Sequence, residues 1–301
     1  MRLINFIESY FWVFLIAGII MGLSYPYYSD FFLTLLKPLL MLMLLLVFLK
    51  TDFYHIVRQI RDYRLMSYLA CTFLIIIPLI LFAIISLFSN ELAIGILLLT
   101  AMPAGVSTPS LTDILKGNIA LSSGIAILTS MLAPFTVPLL FRLVNYDTPD
   151  MNSLNMFTDL AVMVFIPLAA SQLLKKLLPV MIYRIKTGFT AVNIMIILIM
   201  VYASIGSQRG FITGDPVSIL LKISFLYVVY IVLHAAGYFI APGQDRQSRI
   251  AVTISSAYRN NGMAIVLAAI YFEPSVLVLV VLSEFPWSTL LAPFRRIMKY
   301  L

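Results

Sequence analysis

Charge and cysteine are both scarce in this sequence. Only 11% of the 301 residues are charged, whereas 62% are hydrophobic, and the mean hydropathy is +1.03. A soluble globular domain carries about 25% charged residues, so the composition excludes that class. The single cysteine, Cys71, excludes an intrachain disulfide and a cysteine-ligated metal cluster.

Catalytic signatures are also missing. The chain has two histidines, no H-E-x-x-H or G-x-S-x-G motif, and no P-loop or dinucleotide-binding fingerprint. The pairs Tyr146–Asp147 and Gly214–Asp215 loosely resemble intramembrane aspartyl protease motifs. Both pairs fall in predicted outer loops, where no buried dyad can form. We therefore expect no enzyme activity, no cofactor and no metal site.

Long apolar runs occupy most of the chain. A helix of about twenty apolar residues spans the ~30 Å hydrocarbon core of a bilayer, and runs of this length recur throughout. The sequence thus predicts an all-α polytopic membrane protein, with residues 1–301 forming a single transmembrane unit. Ten segments are predicted, at residues 10–28, 32–49, 66–88, 92–115, 118–142, 155–179, 186–206, 216–241, 249–271 and 274–294.

Lysine and arginine are distributed asymmetrically between the predicted loops. Positive residues concentrate in the cytoplasmic loops of membrane proteins, so we expect the net charge of +7 to set orientation rather than to bind nucleic acid. An integral protein of a bacterial inner membrane, with both termini in the cytoplasm, is predicted. The outer loops contain Arg142 and Arg209, and the inner side contains Arg2, Lys50, Arg58, Arg61, Arg64, Lys116, Lys175, Lys176, Arg184, Lys186, Arg246, Arg249, Arg295, Arg296 and Lys299.

Two of the ten segments are interrupted by polar residues at membrane depth. Five segments in each half force the second half to enter the bilayer inverted, and such repeats carry broken helices at corresponding positions. Segment four contains "TAMPAGVSTPSLTD" and segment nine contains "SSAYRNNG". A proline kink in an ordinary helix is the alternative, but the matched register favours a binding site. The predicted helix-breaking residues are Pro103, Gly105, Pro109 and Gly262.

Arg259 and Glu284 are predicted to lie at the same depth. Each is ten residues into its segment, which is about 15 Å at 1.5 Å per residue. A charge at that depth costs several kcal/mol unless it has a partner. We expect the two residues either to pair when the site is empty or to sit close enough to compete for a ligand. A purely structural ion pair is the alternative, and sequence does not separate the two.

The remaining intramembrane polar residues carry weaker signals. Lys37 and Lys222 can extend their ammonium groups to the membrane surface, and Asp159 lies nearer the outer surface. His234 is expected to be a hydrogen-bonded packing residue. Asp113 follows the first broken stretch by one turn, and is a candidate proton carrier together with Glu284.

The broken segments resemble those of the bile acid:sodium symporter family. The run "AMPAGVSTPSLTDILKGNIALSSGIAILTSMLAPF" is similar to that family's M-P-G-G-x-x-S-N and R/K-G-N-x-A-L-S motifs. "LLLVFLKTDF" resembles the end of the second segment, and "YRNNGMAIVLAA" resembles the ninth. The resemblance implies two inverted five-helix repeats with discontinuous, crossing helices four and nine. It further implies a panel domain at about 10–49 and 155–206, and a core domain at about 66–142 and 216–294.

The chain departs from the family at the residues that hold sodium in relatives. The Ser-Asn pair after the P-G-G motif is Thr108 and Pro109 here, and a later threonine is Ala126. The serine of the A-L-S motif is kept as Ser122. An asparagine ligand and a hydroxyl ligand are therefore lost from the first sodium site.

The second sodium site departs further. The acid that opens the ninth-segment motif is Ser255, the glutamine that follows is Arg259, and a third-segment glutamine aligns with Phe73. Two unit charges 4 Å apart repel by ~4 kcal/mol at an effective dielectric of 20. We therefore predict that this sodium site is absent and that the guanidinium group stands in its place.

These observations predict a secondary transporter for a small organic anion or amphipathic acid, working by alternating access. Coupling to protons, or no coupling, is expected, with sodium symport as the first alternative and a non-transporting sensor or partner subunit as the second. Besides the anion, the lipid bilayer is the expected partner. The predicted substrate-binding residues are Ser107, Thr108, Ser122, Ser255, Arg259, Asn260 and Asn261.

Overall fold

The computed structural model describes residues 11–51, 62–146, 152–241 and 245–298. Helices make up nearly all of these ranges, and the β-type pairing within them is one isolated bridge. The start of the first predicted segment, and the predicted loop charges Arg2, Arg58, Arg61 and Lys299, lie outside the described residues.

In the first half of the chain, the described residues form eight α-helices. A π-helical turn, Thr72–Ile76, joins the fourth helix to the fifth without a break, so that residues 63–86 form one long rod. The helices are α1 Phe11–Ser24, α2 Ser29–Thr34, α3 Leu36–Lys50, α4 Tyr63–Cys71, α5 Ile77–Ser86, α6 Asn90–Ala101, α7 Thr108–Ile114 and α8 Ile119–Leu143.

The described part of the second half contributes ten α-helices. A short 3₁₀ turn, Lys186–Gly188, joins the second of them to the third. They are α9 Ser153–Leu177, α10 Pro179–Ile185, α11 Phe189–Ser207, α12 Arg209–Gly214, α13 Pro216–Ile240, α14 Arg246–Ala257, α15 Asn261–Tyr271, α16 Pro274–Leu282, α17 Glu284–Thr289 and α18 Leu291–Ile297.

Polar side chains set where many of these helices begin. A side-chain oxygen at the N-cap accepts a hydrogen bond from a backbone N–H two or three residues later, which satisfies one of the free donors of the first turn. Asp245, which precedes α14 outside the apolar segments, accepts such a bond from the backbone N–H of Ser248. This bond also lowers the pKa of the Asp245 carboxyl group. The capping residues are Asp62, Ser89, Asn118, Asn152, Asp215, Asp245 and Asn260.

Within the described ranges, five helical rods are long and apolar enough to cross a membrane. They cover Tyr63–Ser86, Ile119–Leu143, Ser153–Leu177, Pro179–Ser207 and Pro216–Ile240. The number rises to seven if residues 26–50, bent by 68°, and residues 274–297, bent by 40°, each count as one span. The prediction of an all-helical membrane protein is confirmed. The ten-segment inverted repeat stays a prediction, because the two pairs α6–α7 and α14–α15 consist of helices too short to span alone.

The helices pack as two sets of neighbours, which meet where α8 packs against α9. In one set, α11 packs against α1, α2 and α3, and α3 also packs against α9. In the other, α6 packs against α5 and α16, α8 packs against α7 and α14, and α14 packs against α13. The division into panel and core stays a prediction, although it groups the same helices.

Two lysines predicted to reach the membrane surface bind carboxylates. Lys37 Nζ lies 2.6 Å from Asp159 Oδ1, and Lys222 Nζ lies 3.0 Å from Glu91 Oε1. The Asp159 side chain is about three-quarters buried. At such a position a carboxylate stabilises the ammonium group better than lipid does. Whether either ammonium group also reaches the membrane surface stays a prediction.

Candidate functional site

The first break separates α6 from α7 at residues 102–107. Pro103 has no backbone N–H, so the helix cannot continue its hydrogen-bond ladder through this point. The freed groups find other partners: Ala104 N donates to Thr129 Oγ1 at 3.1 Å, and Thr108 Oγ1 donates to Gly105 O at 2.7 Å. The break is therefore a fixed, satisfied loop inside the protein, as membrane depth requires.

The second break separates α14 from α15 at residues 258–260. Asn260 caps α15, because its Oδ1 accepts a hydrogen bond from Met263 N at 3.1 Å. The carbonyl of Arg259 accepts hydrogen bonds from Trp287 Nε1 at 3.3 Å and from Asn261 N at 2.9 Å. Gly262 lies in the first turn of α15, where a Cβ would meet Met43 of α3 at 3.0 Å.

The two breaks cross each other as a minimal antiparallel bridge. Ala104 lies opposite Arg259. Gly105 N donates to Tyr258 O at 2.7 Å, and Asn260 N donates to Pro103 O at 2.9 Å. A Cβ on residue 105 would lie 3.0 Å from the Tyr258 carbonyl oxygen, so the crossing requires glycine there. Pro109 lies in the first turn of α7, just past the crossing.

Arg259 is buried at this crossing with no hydrogen-bonding partner on its side chain. Its residue exposure is 2%, and Nε and both terminal nitrogens lack an acceptor within the described protein. The guanidinium carbon lies 4.9 Å from the ring centroid of Phe73, in the π-helical turn. A cation over an aromatic face gains up to ~2 kcal/mol when desolvated. The contact with the ring uses none of the five guanidinium N–H donors.

Glu284 is buried as well, at the start of α17, but it does not pair with Arg259. The guanidinium nitrogens have no acceptor within the described protein, so the expected empty-site pairing is not formed. The carboxyl group instead faces the side-chain amide of Asn261. The physical reason is geometric, because the guanidinium lies against Phe73. Whether the two charges compete for a ligand stays a prediction.

A buried polar chain that sequence reasoning missed runs beside Glu284. Tyr230 OH donates to Asn261 Oδ1 at 3.3 Å, and Asn261 Nδ2 donates to Ser283 Oγ at 3.0 Å. These bonds tie α13 and the α16–α17 junction to the start of α15. The signal in the sequence was Tyr230, whose hydroxyl lies within an apolar run, because a buried Tyr normally needs a hydrogen-bonding partner. That signal does not say which partner.

Several predicted site residues keep unpartnered polar atoms inside the protein. The hydroxyls of Ser122 and Ser255 are fully buried without a partner, on the packed helices α8 and α14. Asn260 Nδ2 is likewise unpartnered, directly beside Arg259. Thr108 differs, since its hydroxyl is used within the first break. The crossing thus concentrates donors and one positive charge.

Two predicted residues lie apart from this buried group. Ser107 is partly exposed at the start of α7. Asp113 is exposed near the end of α7, where its carbonyl accepts a hydrogen bond from Lys116 N. The described ranges contain no group of three His, Cys, Asp or Glu side chains placed to hold a metal ion.

Comparison with known proteins gives two matches. The SBF-like CPA transporter family matches residues 9–284, which include both breaks and Glu284. The chain is also 25% identical, over 191 residues, to the uncharacterized sodium-dependent transporter YocS of Bacillus subtilis (strain 168). That similarity covers 61% of this chain and 57% of the relative's length.

Proposed function

The chain belongs to the SBF-like CPA transporter family, and on that premise we propose that it carries a small organic anion across the membrane. The observation that carries the proposal is the buried Arg259, whose guanidinium nitrogens have no acceptor within the described protein. The family is one of integral membrane transporters rather than enzymes. A bacterial inner membrane, with both termini in the cytoplasm, is part of the proposal.

An anion is the ligand that best completes the electrostatics of the crossing. A charged side chain at membrane depth costs several kcal/mol, and the Phe73 ring offsets up to ~2 kcal/mol of it. A carboxylate or sulfonate 4 Å from the guanidinium gains ~4 kcal/mol at an effective dielectric of 20. The planar guanidinium also binds a carboxylate through two parallel hydrogen bonds. Asn260 Nδ2 supplies a further free donor beside it.

Alternating access would follow from movement of the core against the panel. The packing of α11 against α1 and α3, and of α3 against α9, supports such a division, with α8 against α9 as the main contact between the two sets. The two breaks, which fall in segments four and nine, support the inverted repeat. In this proposal the anion binds between the crossing and α3, whose Met43 reaches the first turn of α15.

Proton coupling, or none, fits the charges better than sodium coupling. A sodium ion close to Arg259 would be repelled by ~4 kcal/mol at 4 Å. Glu284 is buried beside Asn261 and forms no ion pair with Arg259, so it is the proposed proton carrier. Asp113 is the weaker candidate because its side chain is exposed. Sodium symport is the alternative, favoured by the similarity to YocS, which is named as a sodium-dependent transporter.

The test is a thermal-shift screen of purified protein with organic anions, in sodium buffer and in choline buffer. A ligand that binds the folded state raises the melting temperature, so we expect an anion-dependent rise that is equal in both buffers. A rise that requires sodium would favour symport. Uptake into proteoliposomes then separates a transporter from a non-transporting sensor, since the sensor binds the anion without carrying it.

A further inference from the structure

Phe73 contacts Arg259 in a way that conserves hydrogen-bond donors. The ring is fully buried, and its centroid lies 4.9 Å from the guanidinium carbon. A carboxylate or amide partner would consume one or two guanidinium N–H groups. An aromatic face consumes none, because the attraction acts through the ring quadrupole.

The backbone around Phe73 is specialised for this placement. Phe73 lies in the π-helical turn Thr72–Ile76, which is part of the continuous rod of residues 63–86. Such single-turn π-bulges shift the side chains that follow them, and they recur at functional sites. The turn and the second break together bring the ring and the guanidinium face to face.

We propose that Phe73 is a positioning residue that holds Arg259 in place while leaving its N–H donors free for the substrate anion. This inference rests on the proposed function for its role, but not for the contact itself. It makes the identity of residue 73 a determinant of anion affinity. A glutamine there would accept a guanidinium hydrogen bond and compete with the anion.

The first arm of the test needs no ligand. Thermal unfolding is measured for the protein, for Phe73→Leu, for Arg259→Met and for the double variant. A direct contact predicts that the two single changes do not add, whereas residues that do not interact give additive shifts. Additive shifts would overturn the contact and the inference with it.

The second arm measures affinity, with benzoate, phenylacetate and succinate as probes. We expect Phe73→Leu and Phe73→Gln to weaken binding roughly tenfold to thirtyfold, the equivalent of a desolvated cation–π contact. Phe73→Tyr, which keeps the aromatic face, should restore most of the affinity. Equal losses for Leu and Tyr would leave only a packing role. If none of the probes binds the unaltered protein, the proposed function falls, while the first arm still reports on the contact.

A separate cluster links the two sets of helices at the end of the bundle where α15 ends. Tyr271 OH donates to Asp159 Oδ2 at 2.6 Å, and Lys37 Nζ bonds Asp159 Oδ1 at 2.6 Å. Tyr271 belongs to α15, whereas Lys37 and Asp159 belong to α3 and α9. The bond from Tyr271 therefore crosses between the predicted core and the predicted panel.

The geometry points to a latch that holds this end of the protein closed. Movement of α15 away from α9 must break the Tyr271–Asp159 hydrogen bond, since both atoms are at contact distance. Lys37 keeps Asp159 oriented when the bond is broken, so that the latch can re-form. The charge distribution predicts this end to face outward.

Distances between spin labels test the latch directly. Labels go on cysteines that replace the exposed Leu154 of α9 and Ile270 of α15, in a Cys71→Ser background. We expect Tyr271→Phe and Asp159→Asn to raise the population of a longer distance roughly tenfold, as loss of a charged hydrogen bond implies. Tyr146→Phe is the matched control, since it likewise removes a tyrosine hydroxyl, three residues beyond the end of α8.

An unchanged distance distribution in Tyr271→Phe would overturn the latch, even if Asp159→Asn fails to fold. Because the readout is conformational, it does not depend on the substrate or on the coupling ion. Loss of the proposed function would leave this result intact.

Discussion

Two polar clusters of this protein differ in whether their charged group has hydrogen-bonding partners within the described residues. At the end of α15, Asp159 receives both Lys37 and Tyr271 at 2.6 Å, and its two oxygens are satisfied. At the crossing, Arg259 lies over Phe73 with three nitrogens unpartnered. The first arrangement is complete within the protein. The second keeps donors without an acceptor in the described protein, as the proposed anion site requires.

Replacement of Arg259 should give the largest change in anion affinity. Arg259→Met should reduce anion affinity by more than a hundredfold, because it removes the attraction of ~4 kcal/mol at 4 Å. The melting temperature should hold or rise, since replacing buried charge by apolar groups of similar volume is often neutral or stabilising by 1–4 kcal/mol. Calorimetric binding and thermal unfolding measure the two effects. A strongly destabilised Arg259→Met protein would show that the guanidinium is structural.

Arg259→Lys separates the shape of the cation from its charge. Lysine keeps the charge but not the planar fork of donors. We expect affinity to fall roughly tenfold to a hundredfold, the cost of losing one charge-assisted hydrogen bond at about 1.5–3 kcal/mol. Uptake and binding by a normally expressed Lys variant test this. Unchanged flux would assign Arg259 a structural role.

Changes to the cluster of Asp159, Lys37 and Tyr271, in which both carboxylate oxygens are hydrogen-bonded, should lower stability and leave anion affinity unchanged. Lys37→Met removes one partner of Asp159 and leaves a partly buried carboxylate with a single hydrogen bond. We expect a loss of about 1–3 kcal/mol in unfolding free energy, the cost of an unmet charged group, with anion affinity unchanged. Lys222→Met is the matched control, because its partner Glu91 is about half exposed and a surface pair contributes about 0–1 kcal/mol. Equal losses in both variants would contradict the assignment.

Glu284→Gln addresses the coupling of transport. The substitution keeps the size of the side chain and removes its ability to carry a proton. If Glu284 is the carrier, the pH dependence of uptake should flatten while anion affinity stays within about threefold, since Glu284 forms no ion pair with Arg259. A pH profile of uptake in sodium-free proteoliposomes measures this. An unaltered profile would exclude Glu284 and leave Asp113 to be tested.

Sequence reasoning predicted the breaks because their signals are local. Proline lacks the N–H that a helix needs, and a buried arginine is conspicuous in an apolar run, so Pro103 and Arg259 could be found without coordinates. Pairing is a tertiary property and could not be read in the same way. Depth counting predicted the pairing of Arg259 with Glu284, whereas the π-helical turn brings Phe73 to the guanidinium. For Lys37 and Lys222 the carboxylate partners lie more than a hundred residues away in the chain.

Two adjacent serines on α14 test the same comparison between paired and unpaired polar groups, with the smallest expected effects. The Ser256 hydroxyl donates to Leu233 O at 3.0 Å, whereas the hydroxyl of Ser255 is fully buried without a partner. The bond contributes about 0.5–1.5 kcal/mol net, since Leu233 O lies inside α13 and keeps its place in the helix ladder. Ser256→Ala should therefore lower the melting temperature and leave binding unchanged.

Ser255→Ala should do the opposite. No bond within the described protein is lost, so stability should hold, but a hydroxyl that contacts the bound anion contributes about 0.5–1.5 kcal/mol. We expect a fall in affinity of roughly threefold to tenfold, measured by titration of the same anion against both alanine variants. If the two variants lose stability alike and bind alike, an unpartnered hydroxyl on this helix does not mark a binding position. Ser122 would then lose its place in the site by the same argument.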